Sequence, residues 1–373
     1  MVYTNGACVR ICVIKTEWME VFMGYRYIGS KARIADEIID YLGMPIAEGS
    51  CFIDAFSGTG IVASKAADIG WNVRINDMMM NAAIVSEAHL LSESDVPFSK
   101  LGCYIDALEQ LRTVEKEGFI WREYSPASAN QVGVERKYFS EENARKIDGA
   151  VDLIHKWRRT GTISEKEFSL LLATLIFAVN DIANIAGTYG CFLSKWTPQA
   201  KNVLNILPLE LRRDKVNYIV STLDVFRIES KESDVVYLDP PYTKRQYASY
   251  YHILETIAKG DEPLVEGVAG LRPWKDNASV FCYKARALKA LVQLVISQKA
   301  NRVIVSYSND GHIKLEELKV ELEKSGFVKI IEMGSIGRYR PNQIASTNGS
   351  DVKEYLIDYR KSTEKKYEQA SNI

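Results

Sequence analysis

Cysteine and histidine are scarce in this chain. Six cysteines (Cys8, Cys12, Cys51, Cys103, Cys191 and Cys282) are scattered over 373 residues, none in a CxxC pair, and the four histidines do not cluster near them. A zinc centre needs closely spaced thiolates and imidazoles, and a disulfide scaffold needs dense cysteine. Neither fits, so no metal is expected and the thiols are read as reduced, in a cytoplasmic setting. Excess charge is also missing, since 47 basic side chains against 48 acidic leave a formal net charge of −1. Any nucleic-acid binding must therefore use local basic patches. The longest apolar run, Leu170 to Val179, is shorter than the roughly 20 residues a membrane span needs, and it predicts a buried helix. Arg10 interrupts the only early apolar run, so no signal peptide is expected. Residues 1–22 read as an irregular extension, with Met19 or Met23 as alternative starts.

What is present is enough apolar residue, 47%, for a packed interior in a chain long enough for a core domain plus an insertion. Segment 31–42 carries Ile34, Ile38, Ile39 and Leu42 on one helical face, and Gly43 and Pro45 end it. Cys51–Phe56 reads as a strand, Ser57-Gly58-Thr59-Gly60 as a tight turn, 61–69 as a helix and Asn72–Asp77 as a second strand ending in an acid. This β-loop-α-β-acid unit is the signature of a doubly wound nucleotide-type fold. Glycines let backbone N–H groups approach a ligand at such a turn. Asp77 is spaced either to bind a ribose diol or to cap the following helix.

From 91 to 215 the pattern becomes helix-rich, aromatic and locally basic. Strands resume at Val216–Phe226 and Asp234–Leu238. A helix at 249–259, a loop at 260–275, a helix near 283–298, a strand at Arg302–Ser306, a helix at 313–325 and strands at Val328–Ile331 and Glu354–Tyr359 complete the pattern. Segment 360–373 reads as a frayed tail.

Asp239-Pro240-Pro241-Tyr242 follows the apolar run ending at Leu238. Neither proline can donate to a ladder and both fix φ, so the strand stops there. A carboxylate and a phenol are thus held by a stiff hinge at the carboxyl end of a strand, where open α/β sheets bind ligands. Lys31, in Tyr27-Ile28-Gly29-Ser30-Lys31, opens a helix and offers a cation to an anionic group.

With these segments in the order Tyr27–Lys31, Asp54–Gly60, Asp239–Tyr242, the chain resembles the α class (D12 type) of S-adenosylmethionine-dependent DNA adenine-N6 methyltransferases of type II restriction–modification systems. The likeness extends to Arg245-Gln246-Tyr247, to Tyr251–Ala258, to Asn184–Gly190 and to Glu354–Ile357. It implies an α/β fold: a Rossmann-like, mostly parallel sheet of seven strands formed by 23–90 and 216–359, with a helical target-recognition insertion at 91–215. It implies that Asp54, Phe56, Ser57, Gly58 and Gly60 cradle the methionine part of S-adenosylmethionine. Tyr27 and Lys31 meet its carboxylate side, Asp77 the ribose, and Asp224 with Val225 the adenine. Asp239 also borders the cofactor.

The chemistry fits those residue types. The exocyclic amine of adenine is a poor nucleophile, so the enzyme must orient it and stabilise developing positive charge. Asp239 and the Pro240 carbonyl can accept the two N6 hydrogens, and Tyr242 can stack on a base flipped out of duplex DNA. Arg245, Gln246 and Lys195 are candidate DNA contacts. Four mixed runs, Arg136-Lys137-Tyr138, Lys156-Trp157-Arg158-Arg159, Lys195-Trp196 and Arg212-Arg213-Lys215, are candidates for the basic patches, with Arg338, Tyr339 and Arg340 as candidate backbone contacts. The partner implied is double-stranded DNA, with a cognate restriction endonuclease as a candidate second partner and no membrane. Cytosine-N4 methylation shares the mechanism, although a serine in place of Asp239 would favour it. The alternatives are an RNA adenine or protein-glutamine methyltransferase, in which Asn usually stands in place of Asp239 and so large an insertion is lacking, and a catalytically dead DNA-binding module, against which the intact Lys31, Asp77 and Asp239 argue.

Overall fold

The computed structural model describes residues 26–45, 47–335 and 353–362. The expected extension at 1–22, Arg338, Tyr339, Arg340 and residues 363–373 lie outside them. Helix α1 (Ala35–Leu42) precedes strand β1 (Cys51–Asp54), α2 (Ile61–Asp68), β2 (Asn72–Asn76) and α3 (Met80–Ala88). The insertion contributes α4 (Tyr104–Arg112), α5 (Phe119–Tyr124), α6 (Glu141–Arg159) and α7 (Glu165–Ile182). The second part of the sheet domain follows with β3 (Tyr218–Ser221), β4 (Val235–Leu238), α8 (Tyr247–Tyr250), α9 (His252–Lys259), α10 (Lys284–Ser297), β5 (Arg302–Ser308), α11 (Leu315–Glu323), β6 (Gly326–Ser335) and β7 (Lys353–Lys361).

The strands form one seven-stranded sheet in the order β3-β2-β1-β4-β5-β7-β6. The strands from β3 to β5 run parallel to one another, and β7 runs antiparallel to both β5 and β6. The mostly parallel, seven-stranded α/β architecture expected from the sequence is the one observed. The continuous apolar character of β4 has a direct cause. Val235 and Tyr237 enter the apolar layer that holds Ile38, Phe52 and Val62, whereas Val236 and Leu238 enter the layer that holds Leu291, Val303 and Val305. Both faces of the sheet are covered, so both sets of alternating positions must be apolar.

The chain proceeds from β1 to β2 and β3 in one direction and from β4 to β5 in the other. The crevice beyond the carboxyl ends of β1 and β4 is therefore the topological switch point, where open α/β sheets hold their ligands. Asp54 ends β1 and Asp239 follows β4.

The insertion leaves and returns at one place. Arg212 N–H donates to Leu91 O at 2.9 Å, and Glu93 N–H donates to Arg212 O at 3.1 Å. Its apolar side chains share a continuous core with Ile84, Val85 and Ala88 of α3 and with Ile253, Leu254 and Ile257 of α9. The run Leu170–Val179 lies in α7, almost entirely buried and opened by a capping box of Ser164 and Glu167. Among the described residues no helix is long and apolar enough to cross a membrane.

Several boundaries differ from those the sequence pattern predicts. The first helix begins at Ala35, because Lys31–Ile34 form a turn closed by Ile34 N–H on Lys31 O. The expected strand over 216–226 is only Tyr218–Ser221, since the Asp224 carboxylate accepts the Phe226 N–H and caps a short 3₁₀ turn. The expected helix 249–259 starts earlier and is broken at Tyr251, whose φ of −119° leaves the helical range. Strand β7 runs to Lys361, so Arg360 and Lys361 belong to the sheet rather than to a tail.

Candidate active site

The turn after β1 is shaped by its two glycines. Gly58 and Gly60 adopt φ of 50° and 76°, the left-handed region that disfavours a side chain. A Cβ on Gly60 would lie 2.6 Å from Ser86 Cα, and one on Gly58 would lie 3.1 Å from the Tyr27 ring. The turn is thus pressed between α3 and the segment before α1. Asp77 ties it to β2: one carboxylate oxygen accepts the Gly58 N–H at 3.0 Å and the other accepts the Met79 N–H at 2.9 Å. Burial pushes the Asp77 carboxyl up to about 6, against the pull of those two N–H groups.

Across the crevice, Lys31 Nζ lies 2.8 Å from each carboxylate oxygen of Asp239. It also sits 5.5 Å from the centre of the Tyr242 ring. The Tyr242 hydroxyl donates to Glu354 Oε1 at 2.9 Å, and its carbonyl accepts the His312 N–H at 2.8 Å. Burial works against the Lys31 ammonium, but Asp239, Glu354 and Tyr237 together hold its pKa above the ordinary lysine range. Burial pushes Asp239 up to about 6, with Lys31 opposing and Glu354 reinforcing the rise. Asp54 is raised further by burial, then by Asp239 and Asp77, and its Oδ1 is a buried oxygen with no hydrogen-bond partner among the described residues. Asp54, Asp77, Asp239 and Glu354 thus outnumber one lysine, a balance that favours a cationic ligand.

The walls are built by aromatic and amide contacts. Tyr27 stacks on Tyr251 with ring centres 4.6 Å apart, and the Tyr247 hydroxyl donates to Ile28 O at 2.9 Å. The Gln246 side-chain amide donates to Ser279 O at 3.3 Å and accepts the Ser279 N–H at 2.8 Å. This holds the 277–281 segment over the crevice, with Phe281 packed edge-on to Phe56 and stacked on Phe226.

One cavity of about 230 Å³ is lined by Tyr27, Lys31, Asp54, Phe56, Ser57, Gly58, Asp77, Asp224, Val225, Asp239, Pro240, Tyr242 and Gln246. Gly60 is not among the lining residues and precedes α2 as its N-cap. Arg245 and Lys195 are exposed and outside the lining. Among the described residues no group of acids, histidines and cysteines is arranged to hold a metal. The walls formed by Tyr237, Tyr247 and Phe281 are not apparent from the sequence pattern. The i, i+4 pair Tyr247 and Tyr251 is the one local signal for the first wall, whereas nothing around Phe281 marks a loop that folds back over β4.

Of the four basic–aromatic runs, the first is largely internal, and two others each set one buried or paired side chain beside exposed cations, Lys156 and Arg159 in one and Arg213 and Lys215 in the other. Arg136 is buried, with Nη1 2.7 Å from Glu123 Oε2 and further bonds to Gly267 O and Val268 O. Tyr138 and Trp157 are core residues, and Arg158 pairs with Glu165. Arg212 bonds Ser64, His89 O and Asp68, pinning the insertion to α2. The Arg136 fork satisfies backbone carbonyls and a buried carboxylate here, which sequence composition does not distinguish from a phosphate-binding role.

The profile of the family described as D12 class N6 adenine-specific DNA methyltransferase matches residues 27–320. The chain is 33% identical over 345 residues to type II methyltransferase M.FokI of Planomicrobium okeanokoites, a match covering 90% of this chain and 52% of that protein. It is 32% identical to modification methylase StsI of Streptococcus sanguinis, over 88% of this chain and 50% of that protein. It is 31% identical to type II methyltransferase M.NlaIII of Neisseria lactamica, over 88% of this chain and 97% of that protein. The chain therefore spans about half the length of the first two relatives and nearly all of the third.

Proposed function

The chain belongs to the D12 class of N6 adenine-specific DNA methyltransferases, and on that footing we propose that it transfers a methyl group from S-adenosylmethionine to N6 of an adenine flipped out of a specific duplex DNA sequence. The observation that carries this reading is the placement of Asp239, Pro240 and Tyr242 at the switch point, in one cavity with the Asp54–Gly58 turn.

The residues present fit the cofactor. The Gly58–Gly60 turn admits close backbone approach, the buried Asp54 Oδ1 awaits a donor, and the acidic balance suits a ligand bearing sulfonium and ammonium groups. Asp54, Phe56, Ser57 and Gly58 would hold the methionine portion, with Tyr27 and Lys31 beside it. Asp77 would hold the ribose, and Asp224 with Val225 the adenine. When bound, S-adenosylmethionine supplies an electrophilic methyl on sulfur.

Asp239 and the Pro240 carbonyl accept the two hydrogens of the N6 amine, which turns its lone pair toward the methyl donor's side of the cavity. Positive charge developing on N6 is met by a carboxylate already in place, so stabilisation comes from preorganisation rather than strong base catalysis. Tyr242 stacks on the base, and an aromatic platform offsets about 1–3 kcal/mol of the unstacking cost per base. Lys31 keeps Asp239 charged until the amine arrives. The insertion over 91–215 reads the sequence, with Arg245 and Lys195 among the exposed cations available to the backbone. Gln246 contributes by fixing the 277–281 wall beside the entering nucleotide. A cognate restriction endonuclease as a second partner and work at a bacterial nucleoid belong to the same proposal; the relatives' names as a type II methyltransferase and a modification methylase support the first.

Incubating the protein with duplex DNA and labelled S-adenosylmethionine, then digesting the DNA to nucleosides, tests the reading. Label in N6-methyladenine is expected; label confined to N4-methylcytosine, or in RNA alone, would refute it.

A further inference from the structure

The stiffness of Asp239-Pro240-Pro241-Tyr242 reaches only as far as the backbone. The prolines fix φ, and His312 N–H holds the Tyr242 carbonyl at 2.8 Å, but neither contact sets the two side-chain torsions that aim the ring. The ring is anchored at its far end instead. Its hydroxyl donates to Glu354 Oε1 at 2.9 Å, and Glu354 is 1% exposed. Glu354 arrives from 112 positions away, through the antiparallel pairing of β7 with β5 that sets it opposite Ser308.

Among the described residues, the donors to this carboxylate are the Tyr242 hydroxyl and, at 3.5 Å, the Ser306 hydroxyl. A buried carboxylate is costly unless its hydrogen-bonding needs are met. A phenol-to-carboxylate bond is charge-assisted and correspondingly strong and directional. The Tyr307 ring lies 5.4 Å away between ring centres and Lys31 Nζ lies 5.5 Å from the ring centre, and the Tyr242 side chain lines the cavity. Orientation therefore decides whether an open aromatic face is presented to the crevice.

We propose that Glu354 is a positioning residue, which fixes the plane of the Tyr242 ring so that it receives the target base. The proposal rests on the adenine-methylation reading and adds to it a residue that never touches the substrate.

The test is a double-mutant cycle on the full chain with Tyr242→Phe, Glu354→Ala and the pair, read as kcat/KM for methyl transfer. The second readout is fluorescence of a duplex carrying 2-aminopurine at the target position, which reports the unstacked base. Each single variant should lose about tenfold in kcat/KM and much of the fluorescence change, and the pair should lose no more than either alone. Glu354→Gln keeps an acceptor and should recover most of both signals; it also carries the test if the alanine variant does not fold. Losses that multiply to about a hundredfold in the pair, or a Tyr242→Phe protein with a normal fluorescence response, would show that Glu354 does not act through this hydroxyl. A wild-type protein inert on adenine would instead overturn the functional reading, and this role with it.

Discussion

Lys31 and Asp239, 208 positions apart, form an ion pair with the lysine 3% and the aspartate 15% exposed. The pair joins the segment before α1 to the end of β4 across the mouth of the cavity. The lysine that the family resemblance assigns to the cofactor's carboxylate side is therefore also the counter-ion of the carboxylate assigned to the amine. On the proposed function one cation serves both halves of the site, and removing it should be felt in both.

In Lys31→Ala, Asp239 remains buried without its cation. Breaking a buried pair from one side costs about 3–5 kcal/mol. Urea denaturation should show a loss of that order, and calorimetry should show weakened S-adenosylmethionine binding.

Asp239→Ala should abolish methyl transfer while duplex binding persists, because the substitution removes the acceptor for the N6 hydrogen but no phosphate contact. Losing one preorganised charge partner is typically worth a factor of about 10²–10³ in kcat. A near-normal rate would remove the carboxylate from the mechanism.

Asp239 titrates at about 6 because burial outweighs Lys31. Its charged form is the one that accepts the amine hydrogen, so kcat/KM should fall as pH drops below about 6 and not only near the ordinary carboxylate value of 3.8. Asp77 is raised to the same region. The native state thus holds more protons than the unfolded chain between 3.8 and about 6, and these two groups withdraw stability as pH rises through that window. A cationic ligand reverses the penalty. The thermal shift produced by S-adenosylmethionine should accordingly be larger at neutral pH than near pH 5.

Gly60→Ala meets both a left-handed backbone at φ 76° and the Ser86 Cα at 2.6 Å. Gly133→Ala meets a similar left-handed backbone, φ 69° and ψ 11°, with nothing within 4 Å. The Gly133 variant should lose only the backbone term, about 1–2 kcal/mol. The Gly60 variant should lose more, together with cofactor affinity. Equal losses would mean that the turn is not pressed against α3.

Arg136→Ala should lower stability by up to about 3–5 kcal/mol, because buried Glu123 keeps only its longer contact with Arg122 at 3.4 Å, and leave the salt dependence of DNA binding unchanged. A shallower salt slope would return this arginine to the DNA interface.

The sequence by itself determined the sheet and most of the cavity. Alternation of strands and helices, apolar runs on both faces of β4, the paired glycines after β1 and the prolines after Asp239 are local signals, and local backbone chemistry is enough to interpret them. Tertiary structure decided what the charged side chains do. Arg136 and Trp157 look like a nucleic-acid surface in one dimension and are interior in three, because burial depends on what packs against a helix rather than on its composition. It also decided that Gln246 ties down the 277–281 wall, that Lys31 faces Asp239, and that Glu354 meets Tyr242. Each of these contacts joins residues far apart in the chain through strand order and loop closure, and spacing along a sequence carries no record of such pairings.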